Sequence, residues 1–556
     1  MAKSTHIDRN MTLGEALEFV AGRFPKRVAM IADGKRISYR QLLQRSQALA
    51  ANLHELGIRK GDRIATLMWG MPDFIYLFFS SAMLGAAIAP LPPRMRRAQM
   101  ESFLRELEPI LVLASNTLEI PDGLEALGVL QREMPSLRYA FVSEETSGTS
   151  QTFRDMLQPP SGVEPIRSQV QPQDLAAILY TSGTTGRPKG IMHSHRGLVG
   201  PVVASIKLRE MWMSFWPTFR RLKRWARVLV RYGARLLRAA GRPQTMLSTM
   251  AIHTISGLEA MLQALLMGDR LVLQPRFHPV HVLEAIEKEK VTVLIGPPLT
   301  YLTMLHVSDF DRYRLSSLVI CATGSAPCAP DLAKEIQDRF GGALHIGFGM
   351  TELGGGIAAT SLEDPADRQA HTVGQPMPGM EVRIVDDQHQ PLPPNTVGEL
   401  ACRSETLMMG YFGDRQESGE LVDDHGWLYT GDLATMDEQG YIRIVGRKKD
   451  LIIRGGQNIY PSKIERVLTA LDGIGEAAVV GVPDTLLGES VWAFVIPDSE
   501  VQPNTEQIME HCRSKLEVHE IPQRIRIVDD FPRTSTAKPK KIELRKMALE
   551  EIRTHD

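Results

Sequence analysis

The chain has 556 residues, 43% hydrophobic and 23% charged, which excludes a disordered or fibrous protein and suggests more than one domain. Its net charge of −1 excludes a protein that is basic throughout, although it conceals one local basic patch. Four cysteines (Cys321, Cys328, Cys402, Cys512) show no C-x-x-C pairing, so buried thiols in a reducing cytosol are expected rather than disulfides or zinc.

In chain order, the N-terminus (Met-Ala-Lys-Ser-Thr-His-Ile-Asp-Arg) has no apolar core, so no signal peptide is expected. Residues 37–57 have helical periodicity ending at Gly57. Phe74 to Leu91 is a mostly apolar run of 18 residues, the lower limit for a membrane span. It contains Gly85, Pro90 and two serines, which predicts a buried helix followed by a strand. Further strands are expected at Arg63 to Met68, Ala86 to Leu91, Ile110 to Ala114, Leu137 to Val142, Leu271 to Leu273, Val291 to Ile295 and Leu318 to Cys321, with helices between them. This alternation predicts layered α/β architecture. After about residue 375 short strands such as Met380 to Val385 and Gly398 to Arg403 suggest a small β-rich subdomain, and a compact α+β unit follows from about 450.

The most informative stretch is Thr181-Ser182-Gly183-Thr184-Thr185-Gly186-Arg187-Pro188-Lys189-Gly190, entered from a predicted strand, Leu175 to Tyr180. It gathers four hydroxyls, three glycines and one lysine. Glycines let backbone N–H groups approach phosphate oxygens, hydroxyls donate or hold a metal, and the lysine is a point charge. The loop suits a polyphosphate. It is not a P-loop, since Gly183 and Gly186 have two residues between them and Lys189 precedes a glycine.

Residues 207–242 stand apart. They hold eleven Lys/Arg against one acidic residue, Glu210, and three of the six tryptophans, Trp212, Trp216 and Trp225. Apolar residues Leu222, Trp225, Leu229, Tyr232 and Leu236 recur at helical steps, with arginines on another face. A basic amphipathic helix is expected, either solvated, docked on a membrane surface, or docked on an acidic carrier protein. No recognition fold accompanies the charges, so nucleic acid is not expected as a partner. The resulting expectation is a cytoplasmic protein, peripheral to the inner membrane face if this segment binds lipid.

The loop resembles the signature of the adenylate-forming superfamily of acyl-CoA synthetases, adenylation domains and beetle luciferases, and further blocks follow in the family's order. Gly347-Phe348-Gly349-Met350-Thr351-Glu352 resembles its aromatic-Gly-x-Thr-Glu motif. Tyr429-Thr430-Gly431-Asp432 and Gly446-Arg447-Lys448-Lys449-Asp450 match its Thr-Gly-Asp and Gly-Arg-x-x-Asp blocks. Pro532-Arg533-Thr534-Ser535-Thr536-Ala537-Lys538 is similar to its C-terminal lysine motif, with Ala537 where glycine is usual. Lys540 and Lys541 are nearby alternatives to Lys538. The resemblance spans about residues 12 to 546. It implies a large N-terminal domain, 1–448, of layered α/β subdomains plus a β-rich subdomain, with 207–242 as an insertion. A small mobile α+β C-terminal domain, 450–556, would turn about a hinge at Lys449.

The implied chemistry is attack of a carboxylate on the α-phosphorus of ATP, giving acyl-AMP, then transfer of the acyl group to CoA with release of AMP and pyrophosphate. Thr181 to Gly186 and Lys189 would hold the phosphates. Glu352 and Thr184 would hold Mg²⁺. Gly324, Ser325 and Ala326 would lie along the adenine, with Gly347, Phe348, Gly349, Met350 and Thr351 beside the nucleotide and Phe348 stacked on the base. Asp432 and Arg447 would bind the ribose. Lys538 would bridge carboxylate and α-phosphate, and after rotation Gly455, Gly456 and Gln457 would line the pantetheine channel. His253, Gly354 and Gly355 would border the acyl pocket. No carboxylate, arginine or lysine is evident along Leu353 to Ala358, which argues against amino acids and diacids and favours a medium- or long-chain fatty acid, with aryl or alicyclic acids as the alternative. His193 and His195 lack a third ligand at zinc spacing and are read as structural. The competing readings are an enzyme that loads a carrier-protein thiol, a luciferase-like oxygenase, and an inactive acyl- or nucleotide-binding homologue.

Overall fold

Ser38 ends a short strand, Lys35–Ser38, and begins the helix Tyr39–Glu55. Its hydroxyl accepts from the Gln41 N–H while the Gln41 side chain accepts from the Ser38 N–H, a reciprocal cap that fixes the start two residues later than periodicity alone suggests. In this computed structural model the described residues are 6–116, 118–143, 153–159, 169–181, 188–213, 242–414, 421–498, 503–533 and 538–555.

The apolar run from Phe74 divides as expected. The helix Pro72–Leu84 is capped by Gly85 at φ 75, and the strand Ala87–Leu91 follows. Phe74, Phe78 and Phe79 are fully buried in the core. Among the described residues no helix is long and apolar enough to cross a membrane.

Two units emerge, Met1–Glu381 with Arg403–Gly426, and Val382–Cys402 with Trp427–Asp556. The β-rich strands after 381 therefore pack mainly with the C-terminal part. Lys449 lies inside the second unit, and the division there stays a proposal.

The first unit holds two sheets. One runs Gly410–Tyr411, Lys189–Ser194, Leu175–Thr181, Ala87–Leu91, Arg63–Leu67, Leu111–Ala114, Tyr139–Val142. Its last five strands are parallel, and Lys189–Ser194 returns antiparallel to Leu175–Thr181. The second sheet has nine strands, with a parallel centre of Val28–Ala32, Arg270–Val272, Thr245–Ser248, Val293–Gly296, Ile320–Thr323 and Ala343–Met350. Gly355–Ala359 then folds back antiparallel on Ala343–Met350. Parallel sheets need both faces covered, and these strands are correspondingly buried along most of their length.

The second unit has a four-stranded sheet, Glu381–Val385, Gly398–Arg403, Leu428–Met436 and Ile442–Arg447. It also has a five-stranded sheet built on the long hairpin Ile474–Asp484 and Gly488–Pro497, with helices Pro461–Thr469, Thr505–Lys515 and Lys541–His555. The architecture is the expected mixed α/β one with a smaller C-terminal part.

Candidate active site

The glycine- and hydroxyl-rich loop closes a hairpin. Thr181 pairs with Lys189 and Tyr180 with Gly190, so the lysine is the first residue of the returning strand. Ser182, Gly183, Thr184, Thr185 and Gly186 lie outside the described residues. Gly190 is tightly enclosed, since a Cβ there would stand 3.1 Å from Ile178 and 3.2 Å from Tyr180 and Phe412.

The next strand over, Gly410–Tyr411, brings a residue that the sequence reading missed. The Lys189 Nζ lies 5.1 Å from the centre of the Tyr411 ring, and the Tyr411 hydroxyl donates to Glu352 Oε1 at 3.3 Å. Burial and the Glu352 charge push the Tyr411 hydroxyl pKa well up, so it stays protonated as a donor. The Met408 N–H donates to the Glu352 carbonyl at 2.7 Å, fixing the short turn Thr351–Leu353 on which Glu352 sits. Lys189 and Glu352, some 160 positions apart in sequence, are thus joined through one aromatic ring.

Gly324, Ser325 and Ala326 leave the end of Ile320–Thr323, whose neighbour Ala343–Met350 carries Gly347 to Met350. A Cβ on Gly324 would lie 2.8 Å from the Gly347 carbonyl, so only glycine lets this turn lie against that strand. Ser325 takes φ 64, and its hydroxyl meets the Ser256 hydroxyl at 3.0 Å. Phe348 is half-buried and Gly349 exposed. The expected adenine turn and the motif around Phe348 therefore lie side by side at the carboxyl ends of adjacent parallel strands, the usual location of ligands in open α/β sheets.

His253 precedes the helix Ile255–Leu266, capped by Thr254 through a bond from the Gly257 N–H. It is 8% exposed, and burial lowers its pKa to about 4, so the ring is neutral. Gly354 has φ 76 and ends the Glu352 turn. Gly355 has φ 131, and a Cβ there would stand 2.3 Å from Glu259 Oε2. This corrects the expectation that no carboxylate borders the path after Glu352. Glu259 projects from a helix distant in sequence, where strand spacing gave no hint of it. His193 and His195 are fully buried with pKa values lowered by burial to about 4, consistent with structural roles. Among the described residues no cluster of His, Cys, Asp or Glu forms a metal site, and all four cysteines are free thiols.

In the second unit Asp432 and Arg447 face each other across antiparallel strands, with Arg447 Nε 2.6 Å from Asp432 Oδ1. Asp432 is 3% exposed. Thr430 supports the turn, its hydroxyl donating to the Leu400 carbonyl and accepting from the Asp432 N–H. Glu399 accepts from the Gly431 N–H and from Lys448 Nζ, both at 3.0 Å. Lys538 is solvent-accessible, yet surrounding protein lowers its pKa; the nearby Arg447 charge adds to this and Asp432 opposes it. The three residues expected at ribose and α-phosphate are therefore close enough to sense one another. Ala537 lies outside the described residues. Lys541 is committed elsewhere, 2.7 Å from Glu465. Lys449 is solvent-accessible and sits on the short turn Lys448–Asp450, where surrounding protein atoms are the main cause of its lowered pKa. Gly455 and Gly456, at φ 57 and 79, form the two-residue turn of the hairpin Ile452–Arg454 and Gln457–Ile459. Two successive positive φ values require such residues whatever passes nearby.

Comparison with known proteins agrees with this layout. The AMP-binding enzyme profile matches residues 17–412, and the AMP-binding enzyme C-terminal domain profile matches 463–538. The chain is 27% identical to a long-chain-fatty-acid–CoA ligase of Bacillus subtilis, over 98% of this chain and 96% of that one. It is 30% identical to a (methyl-dioxo-octahydro-indenyl)propanoyl:CoA ligase of Mycobacterium tuberculosis, over 96% of this chain and 99% of that one. The crystal structure of ATP-bound MatB from Rhodopseudomonas palustris superposes with a TM-score of 0.81 at 25% identity, covering 97% of this chain and 99% of that one. The chain belongs to the AMP-binding enzyme family of the adenylate-forming superfamily, as an AMP-forming acid–thiol ligase that uses ATP.

Proposed function

We propose that the chain activates a hydrophobic carboxylic acid of medium or long chain length as its acyl-AMP and passes the acyl group to CoA. The observation that carries the acid class is the mostly apolar helix Ile255–Leu266 beside the small-residue stretch Gly354 to Ala358, a lining whose one acidic side chain, Glu259, offers no cation to a second carboxylate on the acid. The relatives' own names, one for a fatty acid and one for a fused-ring propanoate, support a hydrophobic acid.

The first step brings two anions together, so its barrier falls when cations and donors face the phosphates. Lys189 supplies a charge at the start of its strand. Tyr411 orients Glu352 by its hydrogen bond. This oxygen donor suits a hard divalent cation, and Glu352 with Thr184 would hold Mg²⁺, which when bound offsets phosphate charge. Asp432, its carboxylate oriented by Arg447, accepts from the ribose hydroxyls. Lys538 offsets charge between carboxylate and α-phosphate as pyrophosphate leaves. His253, neutral, borders the acyl carboxylate without adding charge. In the second step the CoA thiol attacks the acyl carbonyl and AMP departs, with Gly455, Gly456 and Gln457 flanking the pantetheine after the C-terminal part turns about Lys449. Residues 214–241 lie outside the described residues; their basic, tryptophan-bearing sequence supports contact with an anionic membrane or an acidic carrier protein.

The test is pyrophosphate release from ATP with a panel of acids from acetate to palmitate plus benzoates. Release that rises with hydrocarbon length supports this reading; release with acetate or benzoate alone would replace it.

A further inference from the structure

The helix Ile255–Leu266 carries one polar stripe on an otherwise apolar cylinder. Ser256, Glu259 and Gln263 recur at i, i+3 and i+7 and share a face. These three are half-buried, whereas Ile255, Leu258, Met261, Leu262 and Leu265 are buried. A carboxylate in such surroundings normally needs a cation. Glu259 has none among the described residues. Its partners are neutral: Gln263 Nε2 donates to Oε1 at 3.0 Å, and the Gly356 N–H donates to the carboxyl. Burial raises its pKa to about 7 against those two bonds.

The strand opposite has no side chain where it passes this carboxyl. A Cβ on Gly355 would lie 2.3 Å from Oε2, and one on Gly356 would lie 3.7 Å from Oε1. Two donors use about half of the roughly four lone-pair sites of a carboxylate. Ser256 touches the turn at Ser325, and Glu259 stands three residues further, about 4.5 Å along the helix axis. With the nucleotide read as lying at the Ser325 turn, a group that meets Glu259 would belong to the hydrocarbon portion of the acid rather than to its reacting carboxylate.

We propose that Glu259 is a specificity-determining residue that hydrogen-bonds a hydroxyl or oxo group on the hydrocarbon portion of the acid, making an oxygenated hydrophobic acid the preferred substrate over its plain parent. This rests on the reading of Gly354 to Gly356 as the border of the acyl path. A plain alkyl chain packed against Glu259 would strip water from the carboxyl and return no hydrogen bond, and sites built for such a bond discriminate strongly against analogues that lack the group. As an acid Glu259 donates to an oxo group; as a carboxylate it accepts from a hydroxyl.

The test measures kcat/KM by pyrophosphate release for matched acids: octanoate against its terminal hydroxy and mid-chain oxo derivatives, and phenylpropanoate against its para-hydroxy derivative. In the unmodified protein at least one oxygenated acid should exceed its parent by about tenfold or more. Glu259→Leu should bring that ratio to about one or below, by raising KM for the oxygenated acid and improving the parent, while Glu259→Gln, which keeps a hydrogen-bonding group, should retain part of the preference. Equal or better turnover of every parent acid by the unmodified protein overturns the proposal. So does an equal loss for both members of a pair in Glu259→Leu, the mark of a side chain that only holds the Gly355–Ala359 strand. If Glu259→Leu does not fold, the preference of the unmodified protein and its response to Glu259→Gln still decide. Absence of release with every acid would instead overturn the ligase reading on which this one stands.

Discussion

The Tyr411 hydroxyl donates to Glu352 Oε1 at 3.3 Å. The same ring lies beneath Lys189, so one residue positions the carboxylate expected to hold the metal and packs against the lysine expected to meet the phosphates. Tyr411→Phe keeps the ring and removes the hydrogen bond. It should lower kcat/KM for ATP by about tenfold, the worth of one hydrogen bond to a charged group. Tyr411→Leu also removes the cation–ring contact and should cost a further few-fold. ATP–pyrophosphate exchange measures both; unchanged exchange in Tyr411→Phe would detach Tyr411 from the site.

Lys538 should matter to one half-reaction only. Lys538→Ala should abolish pyrophosphate release yet spare thioester formation from supplied acyl-AMP. Equal loss of both steps would contradict a lysine that serves adenylation alone.

Buried histidines make stability depend on pH in a defined sense. His193 has a pKa of about 4 in the folded chain against 6.5 ordinarily. Between these values the unfolded chain binds the extra proton, so stability falls as pH drops from about 6.5 to 4. Glu259 and Asp269, raised by burial to about 7 and about 6, act in the opposite sense and lose stability as pH rises. The net curve mixes the two, so the variant is the clean comparison. His193→Met should lose less stability than the unmodified protein on acidification across this window, by up to about 1.4 kcal/mol per pH unit. Urea unfolding of this unit at several pH values checks it; parallel curves would contradict it.

Gly355 should not tolerate a side chain. Its φ of 131 strains any L-residue, a cost on the order of 1–3 kcal/mol. Gly355→Ala also pushes a methyl into Glu259. A lower melting temperature is expected, with KM for the acid raised more than KM for ATP. Equal effects on both would place the strand outside the acyl path.

Removing residues 214–241 should weaken binding to anionic liposomes while turnover of short soluble acids continues. Unchanged liposome binding would remove the membrane reading of this segment.

Most of the parallel sheet strands were legible because each is a short apolar run between helical stretches, as at Arg63–Leu67 and Leu111–Ala114. The returning strand Lys189–Ser194 was not, since Gly190 and His193 interrupt an alternating pattern; His193 is buried, a position that composition alone does not suggest. The ordered motifs identified Lys189, Glu352, Asp432, Arg447 and Lys538, and the structure brings these together within each unit. Tyr411 escaped notice because its role depends on strand pairing, Tyr411 against Ile191, and no local spacing encodes that register. Glu259 escaped notice because its significance comes from glycines almost a hundred residues later that leave room for it. The pairing of Gly398–Arg403 with Leu428–Met436 across the excursion 403–426 was not legible either, because no local spacing encodes a partner that far along the chain.

The most direct test of the ligase reading is pyrophosphate release across the acid panel, run with and without CoA while CoA thiol is followed. The account predicts release that depends on a hydrophobic acid, with CoA consumed and AMP formed in equal amounts. Release without CoA consumption, or no release with any acid, would contradict it.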